Sequence, residues 1–145
     1  MVNEKQKTAL VTGSAGFIGF HVCQLLLSQG WQVFGVDNMS TYYDVTLKEY
    51  RENILLQHTS YHSVRADVSD PGILKRLFQK ENPQTVIHLA AQAGVRNSID
   101  NPRDYLKSNI NGTFELLEAA RLYPPKHMLL ASTSSVYGAN TTMPY

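Results

Sequence analysis

Thr12-Gly13-Ser14-Ala15-Gly16-Phe17-Ile18-Gly19 follows directly on the apolar run Ala9-Leu10-Val11 and leads into Val22, Leu25 and Leu26 at helical spacing. An apolar run that ends in glycines three apart and then takes up a 3.6-residue period predicts strand, tight turn and helix. Each glycine answers a separate demand. Gly13 takes the positive φ of a sharp exit from the strand, Gly16 carries no Cβ to keep a diphosphate from the backbone, and Gly19 lets the helix lie close to the sheet. The helix start then offers unpaired N–H groups and a positive dipole end to phosphates. A dinucleotide-binding unit is therefore predicted, with a ligand-free structural turn as the plain alternative.

The chain has 145 residues, the size of one domain with a real core and too short for two. Hydrophobic residues make up 43% and charged ones 17%, a globular balance and not a disordered one. A formal net charge of +1 gives no electrostatic case for nucleic acid or an anionic membrane as partner. The leader Met1 to Lys7 is polar, with no signal-peptide core behind it, and no apolar run reaches membrane-spanning length. The single cysteine, Cys23, excludes an internal disulfide and falls in the first helical pattern, where a buried thiol is expected. A reducing, cytoplasmic setting follows as the default. His58 and His62 alone have metal-ligand spacing, and they straddle an expected helix end, so no metal site is predicted.

Gly30 closes the first helix, and Trp31 to Val36 reads as a second strand that stops at Asp37-Asn38. An acid there, about twenty residues past the glycines, is placed to accept hydrogen bonds from the adenosine ribose hydroxyls. Its charge repels a 2′-phosphate, and Asn38 stands where an arginine would serve NADP, so NAD is the expected cofactor. Taken alone, Asp37 would read as a turn residue. A tyrosine-rich loop, Met39 to Asp44, precedes a second helix over Val45 to Gln57 that carries Leu47, Tyr50, Ile54 and Leu55. Tyr61 to Ala66 is a third strand ending at Asp67-Val68. Ser69 or Asp70 is expected to cap a third helix, with Pro71 in its first turn and Ile73, Leu74, Leu77 and Phe78 inward, until Asn82-Pro83 breaks it.

Thr85 to Ala91 is almost wholly apolar, as a strand covered on both faces should be. Asn101-Pro102 opens a long helix to about Tyr123, with Tyr105, Leu106, Ile110, Phe114 and Leu117 along one face. Pro124-Pro125 ends it, and His127 to Ser132 is the fifth strand. Strands alternating with helices predict an α/β fold, a Rossmann-like doubly wound parallel sheet of order 3-2-1-4-5. That order puts the ligand crevice at the carboxyl ends of strands 1 and 4.

With these stretches in place the sequence resembles the extended short-chain dehydrogenase/reductases, the family of NAD-dependent sugar-nucleotide epimerases and dehydratases. Thr12 to Gly19, Asp37-Asn38, Asp67-Val68, His88 to Ala91, Ser108 to Thr113 and Ser132 to Gly138 carry the likeness in the right order. Asp37 to Asp44 and Gln92 to Arg96 look most like the UDP-glucuronate 4-epimerase branch. The resemblance implies roles at matching positions. Phe17 and Ile18 would give backbone amides to the diphosphate, Asp37 and Asn38 would hold the ribose, and Asp67 with Val68 would contact the adenine. Leu89, Ala90 and Ala91 would line the cofactor path, and Asn109 would steady the active-site end of the long helix. Thr133 matches the group that hydrogen-bonds the reacting sugar hydroxyl. Plainer roles stay open: Asp67 suits a helix cap, Asn109 suits a bond to a nearby carbonyl, and serines after a strand commonly make a turn.

The implied chemistry is transient oxidation of a UDP-sugar to a 4-keto sugar, with hydride passed to NAD and returned to the other face. The resemblance implies that Arg96, Ser134 and Ser135 lie near the place of a uronate carboxylate, Arg96 on the ground of its charge, with plain surface exposure as the equal alternative for the arginine. The family's dehydratases carry Asp-Glu where this chain has Ser134-Ser135, which speaks against a sugar 4,6-dehydratase. The family's proton-transfer pair, Tyr-x-x-x-Lys, is absent: no tyrosine here precedes a lysine by four. Residues 1–145 are accordingly expected to form an incomplete NAD-binding domain, the cofactor-binding part of a longer enzyme or a truncated product, inactive alone. A non-catalytic NAD-binding module is the rival reading. The resemblance also implies a homodimer formed through the long helix and one expected after Tyr145, with aggregation through apolar surface at the truncated edge as the alternative. His88, in an apolar strand, is expected to be a satisfied core residue.

Overall fold

The computed structural model describes residues 6–144, so the first five residues of the polar leader and Tyr145 lie outside the described residues. Five parallel strands, β1 (Thr8–Thr12), β2 (Gln32–Asp37), β3 (Tyr61–Arg65), β4 (Thr85–His88) and β5 (His127–Leu130), form one sheet of order β3-β2-β1-β4-β5. This is the predicted order. β1 is central, and its residues from Ala9 to Thr12 are fully buried. Leu10 lies opposite Phe34 of β2 on one side and Val86 of β4 on the other.

Successive strand side chains point to opposite faces, so neighbouring residues of β1 enter different cores. Leu10 joins Val36, Val86, Leu74, Phe78 and Leu116. Val11 joins Phe20, Cys23, Leu27, Val33 and Leu55. Helices α1 (Phe17–Ser28) and α2 (Val45–Leu55) supply the second of these faces. The first is covered by α3 (Ile73–Glu81) and by a later helix described below. Burial pushes the Cys23 thiol up to about 12, so it stays protonated in the core.

Local chemistry accounts for most boundaries. Gly30, at φ 78°, donates to the Leu27 carbonyl while Trp31 donates to Leu26, the paired bonds of a Schellman end. Asp44 caps α2, its carboxylate accepting from the Thr46 N–H at 2.9 Å. The expected cap of α3 at Ser69 or Asp70 is corrected. Those residues close a separate turn on Asp67, α3 starts after the left-handed Gly72, and the Gly72 N–H is taken by Glu115 at 3.0 Å. β4 is shorter than the apolar run: the Leu89 N–H is shared between the Thr12 carbonyl at 3.2 Å and the Thr12 hydroxyl at 3.1 Å, and the Ala90 N–H goes to that hydroxyl.

Two helices show other faces than the periodicity suggests. On α2, Leu47 and Tyr50 are exposed, and the buried positions are Lys48, Glu52 and Leu55. The helix expected over Asn101 to Tyr123 is wound in three parts. α5 (Pro102–Tyr105) passes into a π-helical stretch, Leu106–Asn111, and then into α6 (Gly112–Leu122). A short helix, α4 (Val95–Asp100), precedes them and was not legible as a separate element. The stripe Leu106, Ile110, Phe114 and Leu117 points to solvent, whereas Gly112, Leu116 and Ala119 face the core. Small residues are needed there, since a Cβ on Gly112 would lie 2.7 Å from Val68.

Phe78→Ala, which empties the core side of α3, should cost about 3–5 kcal/mol in urea denaturation. Leu117→Ala on the exposed stripe should change stability by less than about 0.5 kcal/mol. A large loss for Leu117→Ala in the monomer would show that the outward face has been misassigned.

Candidate functional site

The glycine turn lies at the carboxyl end of β1. Gly13, at φ 70°, and Ser14 both donate to the Val36 carbonyl, and a Cβ on Gly13 would lie 2.9 Å from the Ala90 nitrogen. A side chain here is excluded by backbone conformation and by space together. Gly19 is held close by the turn itself, not by the sheet: its missing Cβ would collide with the Gly13 carbonyl. The first bond of α1 runs from the Phe20 N–H to Gly16, so the amides of Phe17, Ile18 and Gly19 have no partner within the helix. Exposed amides at a helix start attract anions.

Asp37 ends β2 buried beside this turn. Its Oδ2 accepts from the Ala15 N–H at 3.1 Å, and its Oδ1 accepts from the Met39 N–H at 2.9 Å and from Lys48 Nζ at 3.1 Å. A carboxylate offers roughly four acceptor positions, which leaves one free to meet a ribose hydroxyl. Arg51 holds the other side of the same residue, donating to the Ala15 carbonyl at 3.3 Å, with its guanidinium 5.9 Å from the Phe17 ring centroid. The turn is thus pinned from β2 and from α2.

Asp67 forms the next wall. Its carboxylate accepts from the Ser69 N–H and hydroxyl, from Asn38 Nδ2 at 3.2 Å and from Lys107 Nζ at 2.9 Å. Burial acts to raise its pKa, but these donors outweigh burial and hold the carboxyl well below the usual carboxylate range. With all four acceptor positions engaged, the side chain tethers Asn38 and Lys107 to the cleft rim.

A chain of hydroxyls and imidazole joins the centre of the sheet to the long helix. Thr12 Oγ1 accepts from the Leu89 and Ala90 N–H groups, both at 3.1 Å, so its own proton must go to His88 Nδ1 at 2.8 Å. His88 therefore carries its proton on Nε2, facing the Thr113 hydroxyl at 3.4 Å, and Thr113 donates to the Asn109 carbonyl at 2.7 Å. Burial lowers the His88 pKa, consistent with a neutral ring. His88 is the satisfied core residue expected from its strand. Asn109 then clamps the loop after β4, accepting from the Gln92 N–H at 2.7 Å and donating to the Gln92 carbonyl at 3.0 Å. Tyr105 donates to the Ala93 carbonyl at 2.6 Å, which fixes the same loop from α5.

These parts surround one cleft of about 670 Å³. Among the predicted residues, Gly13, Gly16, Phe17, Asp37, Asn38, Asp67, Val68, Leu89, Ala90 and Ala91 line it. Ile18, Gly19 and Asn109 are not lining residues. Arg96 is exposed on α4, and Thr133, Ser134 and Ser135 are exposed beyond β5, all four outside the lining. There Thr133 accepts from the Ser135 N–H at 3.3 Å and caps a 3₁₀ turn, Ser134–Tyr137. The sequence reading missed Lys48, Arg51, Gln92, Lys107 and Ser108, which also line the cleft. The only sequence trace of the first two is a polar spacing on α2 that looks like an exposed face. Among the described residues no group of three or more His, Cys, Asp or Glu is placed to hold a metal ion, and no helix is long and apolar enough to cross a membrane.

Residues 10–145 match the family model described as GDP-mannose 4,6 dehydratase. A probable UDP-glucuronate 4-epimerase of Rhizobium meliloti is 49% identical over 136 residues, covering 94% of this chain and 40% of that protein. A crystal structure of UDP-glucuronic acid 4-epimerase from Bacillus cereus, in complex with UDP-glucuronic acid and NAD, superposes with a TM-score of 0.85 at 36% identity, over 93% of this chain and 43% of that one. UDP-glucose 4-epimerase from Brucella ovis in complex with NAD gives 0.78 at 33% identity, over 95% and 39%. The chain thus spans about two-fifths of the length of the relatives it matches.

Because burial depresses the His88 pKa below its ordinary value of 6.5, the unfolded chain takes up a proton first as pH falls, and stability should decline from that pH downward. The urea midpoint of wild type should drop between about pH 7.5 and about pH 5.5, and His88→Gln should drop less over that range. Equal slopes would show that His88 is not held neutral.

Proposed function

The chain belongs to the GDP-mannose 4,6 dehydratase family, and on that footing we propose that it is the NAD-binding part of a nucleotide-sugar 4-epimerase of the UDP-glucuronate/UDP-galacturonate type. One observation carries the reading: Phe17, whose amide has no partner within α1, and the buried Asp37 line a single cleft. That pairing suits a diphosphate beside a diol-bearing ribose. The relatives named above support both the cofactor and the sugar class.

In this reading the Phe17 and Ile18 amides hold the diphosphate, with Gly13, Gly16 and Gly19 keeping side chains out of its way. Asp37 and Asn38 hold the adenosine ribose, and Asp67-Val68 forms the rim beside the adenine. Leu89, Ala90 and Ala91 guide the remaining half toward the sugar, while Asn109 acts on that path through Gln92 and not by contact. When bound, NAD would supply the hydride acceptor and donor for transient oxidation to a 4-keto sugar. Thr133 would align the reacting hydroxyl by hydrogen bonding. Arg96, Ser134 and Ser135 would receive the uronate carboxylate, and the two serines favour epimerisation over elimination because they lack the acid of the family's dehydratases.

No tyrosine among the 145 residues precedes a lysine by four, so these residues supply no proton-transfer pair of the family's kind. Alone, the chain acts as a dinucleotide-binding module. Its exposed stripe of Leu106, Ile110, Phe114 and Leu117 suits a second copy, as a homodimer. The reduced lone cysteine and near-neutral charge suit a cytoplasmic setting.

Calorimetry of the 145-residue chain should show NAD binding and weaker NADP binding, and an assay with UDP-glucuronate should show no turnover. NADP binding as tightly as NAD would overturn the role of Asp37. Interconversion of the two uronates by the purified chain would overturn the module reading.

A further inference from the structure

We propose that the side-chain amide of Gln92 donates to the ligand in the cleft, to an acceptor oxygen in the diphosphate–ribose half remote from the adenosine. The inference rests on the dinucleotide reading. Gln92 Nε2 is buried, and among the described residues it is the one buried side-chain nitrogen or oxygen without a hydrogen-bond partner. Orphaned buried donors are rare because each gives up water for nothing. A group kept in that state belongs to a site completed by something else.

The rest of the residue is not free to relieve the donor. Both main-chain polar groups of Gln92 are held by the Asn109 amide, at 2.7 and 3.0 Å. Asn109 is fixed in turn by the π-helical stretch and by the Thr113 bond to its carbonyl. With its backbone clamped, Gln92 is one of the residues that line the cleft. The direction of the ligand follows from the neighbours. Asp37 and Asp67 mark the adenosine end, whereas the chain leading to Gln92 passes against the Gly13 turn, with the Ala90 nitrogen 2.9 Å from where a Gly13 Cβ would be. Gln92 thus lies past the diphosphate. An amide NH₂ offers two donors, and phosphate and ribose oxygens in that half accept.

This arrangement gives effects of opposite sign on stability and binding. Removing the amide relieves the ligand-free protein of an unmet donor and deprives the complex of a bond. Gln92→Leu in the 145-residue chain should melt no lower than wild type, and it should bind NAD and ADP-ribose about ten-fold or more weakly. AMP, which stops short of the remote half, should bind both proteins equally. Gln92→Glu, isosteric but acceptor-only, should lose NAD at least as strongly as Gln92→Leu. Unchanged NAD binding in Gln92→Leu, a parallel loss of AMP, tighter NAD binding in Gln92→Glu, or a lowered melting temperature for Gln92→Leu would each overturn this inference alone. A wild-type chain that binds neither NAD nor ADP-ribose would overturn the dinucleotide reading and this inference with it.

Discussion

The proton that Thr12 gives to His88 organises the cleft. Thr12 has two lone pairs and one hydrogen, and the amides of Leu89 and Ala90 use the lone pairs, so the hydrogen has a single destination. That choice sets the imidazole tautomer, points Nε2–H at Thr113 and frees the Thr113 proton for the Asn109 carbonyl. Adjacent strands and a distant helix are thereby fixed relative to one another by a few bonds in a dry interior, where each is stronger than in water. A charged histidine would set a donor against an oxygen whose lone pairs are already filled. Neutrality of the ring is thus a condition of the architecture and not an accident of burial.

The same economy governs the glycine turn. Ala15 has its N–H taken by Asp37 and its carbonyl by Arg51, while Lys48 balances the buried Asp37 charge. Removing one partner of such a pair would leave the other charge buried without compensation. Asp37 consequently ties the glycine turn, the end of β2 and α2 together with the same two oxygens.

Much of this was legible in the sequence because it depends on local stereochemistry. Gly13 and Gly30 announce left-handed backbone, and the strand-ending Asp37 marks a fixed distance from the first turn. Alternation of strands and helices was enough for the sheet order. Three things were hidden, each for a physical reason. Lys48 and Glu52 turn inward on α2 against amphipathic expectation, because Asp37, Arg65 and Ser63 wait there to satisfy them. The outward stripe Leu106 to Leu117 has the period of a core face, and periodicity does not say which side meets the sheet. Gln92 stands in a stretch that carries the family likeness, but its unmet donor has no signature, since the interest lies in a bond it does not make.

The winding of Leu106–Asn111 also constrains how this region tolerates length change. A π-helical turn holds one more residue than the α-helical turn it replaces, and an α-helix advances about 100° per residue. Winding the same residues as a regular α-helix would rotate Pro102–Tyr105 by about that angle against Gly112–Leu122. Tyr105 would swing away from Ala93, and Lys107 from Asp67, with every other side chain in the protein unchanged. The wide turn thus lets the chain carry an extra residue between two packed faces without turning either one away.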